Sequence, residues 1–206
     1  MCEKCSHLLN PVLQPRCIKC GRPIEEKEQE YCADCHALPH IFTRGRGIFP
    51  YDRVWKDSMM RYKYFGCREY GRFYAKAMAV FAAEELRQWK PELIVSVPLH
   101  KKKQKQRGFN QSEFLAHWLG RYTGIPVDSN LVMKLRSTKS QKKLDAVQRR
   151  KNLQNAFYVK RKVTGMRILV VDDVFTTGST MDAMAAGLLE NGAQQVFFLT
   201  VCIVKR

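Results

Sequence analysis

No apolar run in this chain of 206 residues is long enough to cross a bilayer; the longest are LIVSV and VFFLTVCIV. The N-terminus, MCEKCSHLLN, lacks the charged-then-apolar plan of a secretory signal. A soluble, cytoplasmic protein with no transmembrane segment is therefore expected. Acidic residues are scarce: 19 Asp and Glu stand against 36 Lys and Arg, a net charge of +17. That excludes an acidic solvating protein and favours an anionic partner. Cysteine is almost missing from the body of the chain. Six of the eight fall within the first 35 residues, in three Cys-x-x-Cys pairs. This excludes a disulfide framework spread along the chain and, in a reducing compartment, points to metal. No internal repeat exists beyond those pairs.

Two stretches concentrate the positive charge. Lys101 to Arg107 (KKKQKQR) holds five basic residues in seven, and Lys134 to Lys151 holds eight against Asp145 alone. Both read as basic loops. Charge does not tell a nucleotide phosphate from a nucleic acid.

The size allows one full core plus a small appended module. Residues 1–40 lack helical periodicity and are punctuated by Pro11, Pro15, Gly21 and Pro23, so the module is placed there and the main domain at 41–206. Glu25 to Glu30 reads as a tip loop, and Gly45, Gly47 and Pro50 as a linker or an edge strand. In the main domain, spacing predicts helices over 52–65, 69–89, 111–122 and 180–189. Strands are expected at 93–97, 126–133, 156–159, 166–171 and 196–204. Asn110 and Glu113 have the spacing of a capping box. Alternating strands and helices define an α/β domain with a mainly parallel sheet flanked by helices, whose ligands sit at the carboxyl ends of the strands.

Cys17 and Cys20 are separated by eleven residues from Cys32 and Cys35. Two such knuckles complete a tetrahedral, structural Zn²⁺ site, because four thiolates leave no position for substrate. Gly21 frees the backbone to turn beneath the metal. Cys2 and Cys5 precede Cys17 by the same interval and offer a second or alternative site. His36 and His40 read as surface or packing residues, and Cys67 and Cys202 as buried thiols.

The stretch ILVVDDVFTTGST, residues 168–180, carries the chemistry. A strand ending at Val171 delivers Asp172 and Asp173 to a cleft. Thr176, Thr177, Gly178, Ser179 and Thr180 then turn into a helix, where amides, hydroxyls and the helix dipole form a phosphate cradle. The carboxylates suit a sugar diol or a hydrated Mg²⁺. These thirteen positions resemble the phosphoribosyl pyrophosphate (PRPP) motif of type I phosphoribosyltransferases. The resemblance implies that Asp172 and Asp173 bind the ribose hydroxyls and residues 176–180 the 5′-phosphate, with Mg²⁺ accompanying PRPP. LIVSVPLHKKK resembles that fold's pyrophosphate loop, which puts Leu99, His100, Lys101 and Lys102 at the pyrophosphate. The basic 134–151 segment sits where the family carries its flexible catalytic loop. Lys142, Lys143 and Arg107 are candidates for neutralising a departing pyrophosphate, or equally for contacting DNA phosphates.

The cysteine module (a zinc ribbon), VPLHKKKQKQRGFNQSEFLA and RRKNLQNAF together resemble the ComF family. That family, which includes ComFC proteins, is linked to DNA uptake in natural transformation. The resemblance implies a PRPP-binding protein that handles single-stranded DNA, with a helicase-like competence protein as partner; the positive surface would supply sequence-independent affinity, with Phe109 or Tyr122 as stacking residues. Two alternatives stay open: an active phosphoribosyltransferase with an unknown nitrogen acceptor, and a PRPP-sensing regulator without catalysis. Thr176 stands where purine phosphoribosyltransferases place an aspartate base.

Overall fold

A computed structural model describes residues 9–26, 28–135 and 156–205. Among these residues four strands form the main sheet: β1 (Arg44–Pro50), β2 (Leu93–Ser96), β5 (Arg167–Phe175) and β6 (Gln195–Ile203). Their order is β1-β6-β5-β2 and every neighbouring pair is parallel. All carboxyl ends therefore share one edge. A separate antiparallel pair joins β3 (Val132–Lys134) to β4 (Phe157–Val159).

Helices cover both faces of the sheet. α1 (Ala33–Ala37) lies in the cysteine module. Between β1 and β2 run α2 (Arg53–Tyr64), α3 (Tyr70–Phe81) and α4 (Ala83–Trp89). After β2 come α5 (Lys101–Arg107) and α6 (Gln111–Thr123), and α7 (Ser179–Glu190) joins β5 to β6. Alternation along β5 divides the core. Leu169 and Val171 pack with Tyr62, Tyr74, Met78, Leu115 and Leu119 on one face. Ile168 and Val170 pack on the other with Met184, Leu188, Phe198 and the four cysteines of the module. Such all-round burial is why the central strands read as unbroken apolar runs.

Local chemistry sets several boundaries. Asp52 caps α2 by accepting the amide of Trp55 at 3.0 Å, a contact that contributes about 1 kcal/mol. Asn110 caps α6 through the amide of Ser112 at 3.1 Å. Gly124, at φ +74°, ends α6 in the left-handed conformation.

The structure departs from the sequence-based elements in five places, the first being the strand expected over 126–133, which is confined to Val132–Lys134 with an isolated bridge from Val127 to Ile94. The 69–89 helix is broken at Ala82 (φ −106°, ψ 17°) into α3 and α4. The basic 101–107 stretch is the helix α5 rather than a loop, since Lys, Gln and Arg are good helix formers. β5 continues through the aspartates to Phe175 because Asp172 and Val174 still pair with β6. Cys67 is half-exposed in the turn between α2 and α3, not buried. The Gly45–Pro50 segment is an edge strand, and its glycines are required there: a Cβ on Gly45 would lie 2.0 Å from Phe198 Cε1. Among the described residues no helix is long and apolar enough to cross a membrane.

Candidate ligand-binding site

The carboxyl end of β5 and the first turn of α7 enclose a small cleft of about 20 Å³, lined by Asp172, Phe175, Thr176, Gly178, Thr180 and Met181 among others. Asp172 faces it half-exposed, and Ser112 at the start of α6 donates its hydroxyl to Asp172 Oδ1 at 2.6 Å. The amide of Asp173 reaches the same oxygen at 2.9 Å. Burial, and then the charge of Asp173, push the Asp172 carboxyl up to about 7. The cleft thus holds a carboxylate that is poorly compensated without a ligand.

Asp173 points elsewhere. It is 5% exposed, and its Oδ2 lies 2.9 Å from Lys63 Nζ near the end of α2. Burial opposes the Lys63 charge, but Asp173 outweighs it and holds the ammonium above its ordinary pKa. The adjacent aspartates therefore have different partners, Ser112 for Asp172 and Lys63 for Asp173. A further lysine interacts with Asp172 electrostatically. Lys134, at the end of β3, is pushed down by burial and by Lys103, and drawn back up by Asp172.

In the hydroxyl loop, Thr177 Oγ1 and Ser179 Oγ lie 2.9 Å apart, and Gly178 adopts φ +82°. That conformation favours glycine. Space demands it too, because a Cβ there would sit 2.5 Å from His40 Cε1. His40 is held in turn by Asp182 of α7, Nδ1 to Oδ2 at 2.8 Å, while the Ile41 amide donates to Asp182 Oδ1 at 2.8 Å. His40 is therefore a packing residue beside the loop. Nothing in the sequence pattern signalled Lys63, Ser112 or His40 as neighbours of this site.

The cysteine cluster lies on the same sheet face. The Sγ atoms of Cys17, Cys20, Cys32 and Cys35 are buried and all lie within 4.8 Å of one another, with Cys20 and Cys32 3.7 Å apart. A Zn–S bond of about 2.3 Å implies tetrahedral S–S edges of about 3.8 Å, so the four thiols fit zinc. Cys2 and Cys5 fall outside the described residues, as do Lys142 and Lys143.

Leu99 and His100 are half-buried and lead into α5, where the carbonyl of His100 accepts the amides of Lys103 and Gln104. The side chains of Lys101 and Lys102 lie outside the described set. Arg107 donates to Gln111 Oε1 at 2.9 Å and to the Tyr64 hydroxyl at 2.6 Å. Phe109 is half-buried under the Arg68 guanidinium, 4.8 Å from the ring centroid, and Tyr122 is 38% exposed.

A parallel sheet with a carboxylate and a hydroxyl-rich helix entry at its carboxyl edge defines a phosphoribosyltransferase-like protein. A family model described as the phosphoribosyl transferase domain matches residues 125–206. Competence protein F of Haemophilus influenzae is 31% identical over 202 residues, 95% of this chain and 87% of that one. The chain belongs to the ComF family. DNA utilization protein YhgH of Salmonella typhi is 43% identical over 112 residues, 54% of this chain. That match spans about half (49%) of the YhgH protein. Purine phosphoribosyltransferase from Pyrococcus horikoshii overlays with a TM-score of 0.40 at 16% identity, over 64% of this chain and 82% of that one. The fold assignment rests on the topology and the family match rather than on that overlay.

Proposed function

We propose that the protein binds PRPP at the β5–α7 cleft and acts in handling single-stranded DNA during natural transformation. The observation that carries the ligand is the convergence of Asp172 and the Thr176–Thr180 loop on one cleft. The 5′-phosphate sits on residues 176–180. Asp172 takes the ribose hydroxyls at the cleft, and Asp173 joins it when its ion pair with Lys63 opens. The pyrophosphate lies toward residues 99–102, its charge offset by Lys103 and Lys134 and by a Mg²⁺ that travels with PRPP. The zinc-holding module covers residues 1–40 and the transferase-like domain 41–206, in the cytoplasm.

The DNA role is supported by the net charge of +17 and by relatives named for competence and DNA utilization. A helicase-like competence protein is the fitting partner. Nitrogen-acceptor transfer is the second reading, favoured by the lysines around Asp172; Thr176 in place of an aspartate argues against a purine acceptor. PRPP sensing without catalysis is a third. The deciding experiment is a thermal shift with Mg²⁺-PRPP, followed by pyrophosphate release across a panel of bases. A shift of several degrees that Asp172→Asn abolishes supports the site. No shift with millimolar PRPP removes it, and base-dependent pyrophosphate release promotes the transferase reading.

A further inference from the structure

Arg22 follows Gly21 directly after the first cysteine knuckle, and only 2% of it is exposed. Its Nη1 donates to Oδ2 of Asp34 at 2.6 Å, and Asp34 lies between Cys32 and Cys35 of the second knuckle. Its Nη2 donates to the carbonyl of Thr176 at 2.7 Å. The guanidinium lies 5.8 Å from the Phe175 ring centroid. The knuckle fixes this arginine at its base, because the amide of Cys17 donates to the carbonyl of Arg22 at 2.8 Å. One buried cation therefore joins both halves of the metal module to the first residue of the hydroxyl loop.

The contact has a directional consequence. In a planar trans peptide the carbonyl and the following N–H point in opposite directions. Holding the Thr176 carbonyl toward Arg22 turns the Thr177 N–H away from the guanidinium. Two residues on, His40 fills the space where a Gly178 side chain would be, and with Ile41 it holds Asp182 in the first turn of α7. The loop is thus fixed at Thr176, Gly178 and Asp182 by residues that belong to the cysteine module or to the segment just after it.

We infer that Arg22 and His40 are positioning residues for the hydroxyl loop, so that the metal-held cysteine module sets the loop's anion-binding geometry. The module is then more than a stability device. Metal loss frees the knuckles, Arg22 loses its anchor, and the Thr176–Thr177 peptide is released to rotate. This inference rests on the proposed phosphate role of the loop for its binding consequence, but its structural part stands without that role.

The test uses the full chain and three readouts. Arg22→Met keeps the aliphatic stem and all four cysteines, while Arg22→Lys keeps the charge without the fork that reaches two acceptors. Both variants should retain the wild-type zinc content by elemental analysis. Amides of residues 176–182 should exchange with deuterium at least about tenfold faster than in wild type, as expected for the loss of a charged, buried hydrogen bond. Amides of β6 should be unchanged. Mg²⁺-PRPP affinity by calorimetry should fall by about tenfold or more in Arg22→Met, and zinc removal from wild type should reproduce the same local exchange pattern. Unchanged loop exchange in both variants with zinc retained would overturn the inference. So would zinc removal that accelerates exchange uniformly. If wild-type protein shows no PRPP binding, the ligand assignment fails while the exchange data still decide the clamp.

Discussion

Ser112 Oγ donates to Asp172 Oδ1 across 2.6 Å, bridging the start of α6 to the carboxyl end of β5. This bond favours the charged carboxylate, yet burial and the Asp173 charge outweigh it and push the Asp172 carboxyl up to about 7. An unfolded aspartate titrates at about 3.9. Between these values the folded protein binds more protons than the unfolded chain. The stability tied to Asp172 is therefore fully present below about pH 4 and is lost as pH rises through about 7. Asp172→Asn should flatten the dependence of Tm on pH across that window and should equal or exceed wild type at the alkaline end. Parallel Tm profiles for the two proteins would show that Asp172 ionises normally.

The Lys63–Asp173 pair predicts a double-mutant cycle. Their side chains are 16% and 7% exposed, so removing one partner leaves a buried charge unpaired. Lys63→Met should cost about 3–5 kcal/mol. Adding Asp173→Asn to it should recover a large part of that loss. Urea denaturation of the four proteins gives the coupling term directly, and additive single effects would place the pair in solvent.

Gly178→Ala should be expensive for its size. The backbone there is at φ +82° and the new Cβ would meet His40. Left-handed backbone strain costs roughly 1–2 kcal/mol for an alanine, before the clash is counted. Denaturation should show a loss of that order or greater. His40→Ala in the same chain should relieve only the steric part, which separates the two causes.

Metal removal should act locally first. Chelation, or Cys35→Ser, should release about one zinc per chain, as expected for a four-thiolate site. Cys67→Ser, at a half-exposed thiol 3.7 Å from the Phe65 carbonyl, should leave the zinc content unchanged. Equal zinc loss in both variants would break the assignment to the four clustered cysteines.

The sequence made the parallel sheet, the four clustered cysteines and the β5–α7 loop legible because each is a local pattern. An apolar run, a pair spacing and a strand-to-helix turn all lie within a few residues of one another. The neighbours of Asp172 and Asp173 were not legible. Lys63 and Ser112 are 110 and 60 positions away from their aspartates in the chain. They arrive only because α2 and α6 pack on the same sheet face. Arg22 was hidden for the same reason, since its partner Thr176 is 154 residues distant. The helical state of residues 101–107 was missed on other grounds: a basic run has no apolar period to reveal a helix, only propensity.

The DNA reading makes its own spatial prediction. On α6, Phe114, Trp118 and Tyr122 recur at four-residue steps, with ring centroids 6.4 and 6.0 Å apart. Phe109 extends the row, 6.5 Å from Phe114. Arg68 lies over Phe109, and Arg72 and Arg121 lie over Trp118, all within 5.1 Å of a ring centroid. Planar guanidiniums beside aromatic rings suit stacked bases and backbone phosphates. Charge-removing changes at Arg68, Arg72 and Arg121 should each lower affinity for a fluorescent oligonucleotide and reduce the salt slope by about one per lost phosphate contact. Trp118→Ala should weaken binding by about 1–3 kcal/mol with little change in that slope, because stacking releases no counterions. Neutralising Lys103, Lys105 and Arg107 on α5 should act like the arginine changes, whereas Asp172→Asn should leave DNA affinity intact. If α5 alone carries the salt dependence and the arginines none, DNA follows α5 and the aromatic row on α6 has no part in it.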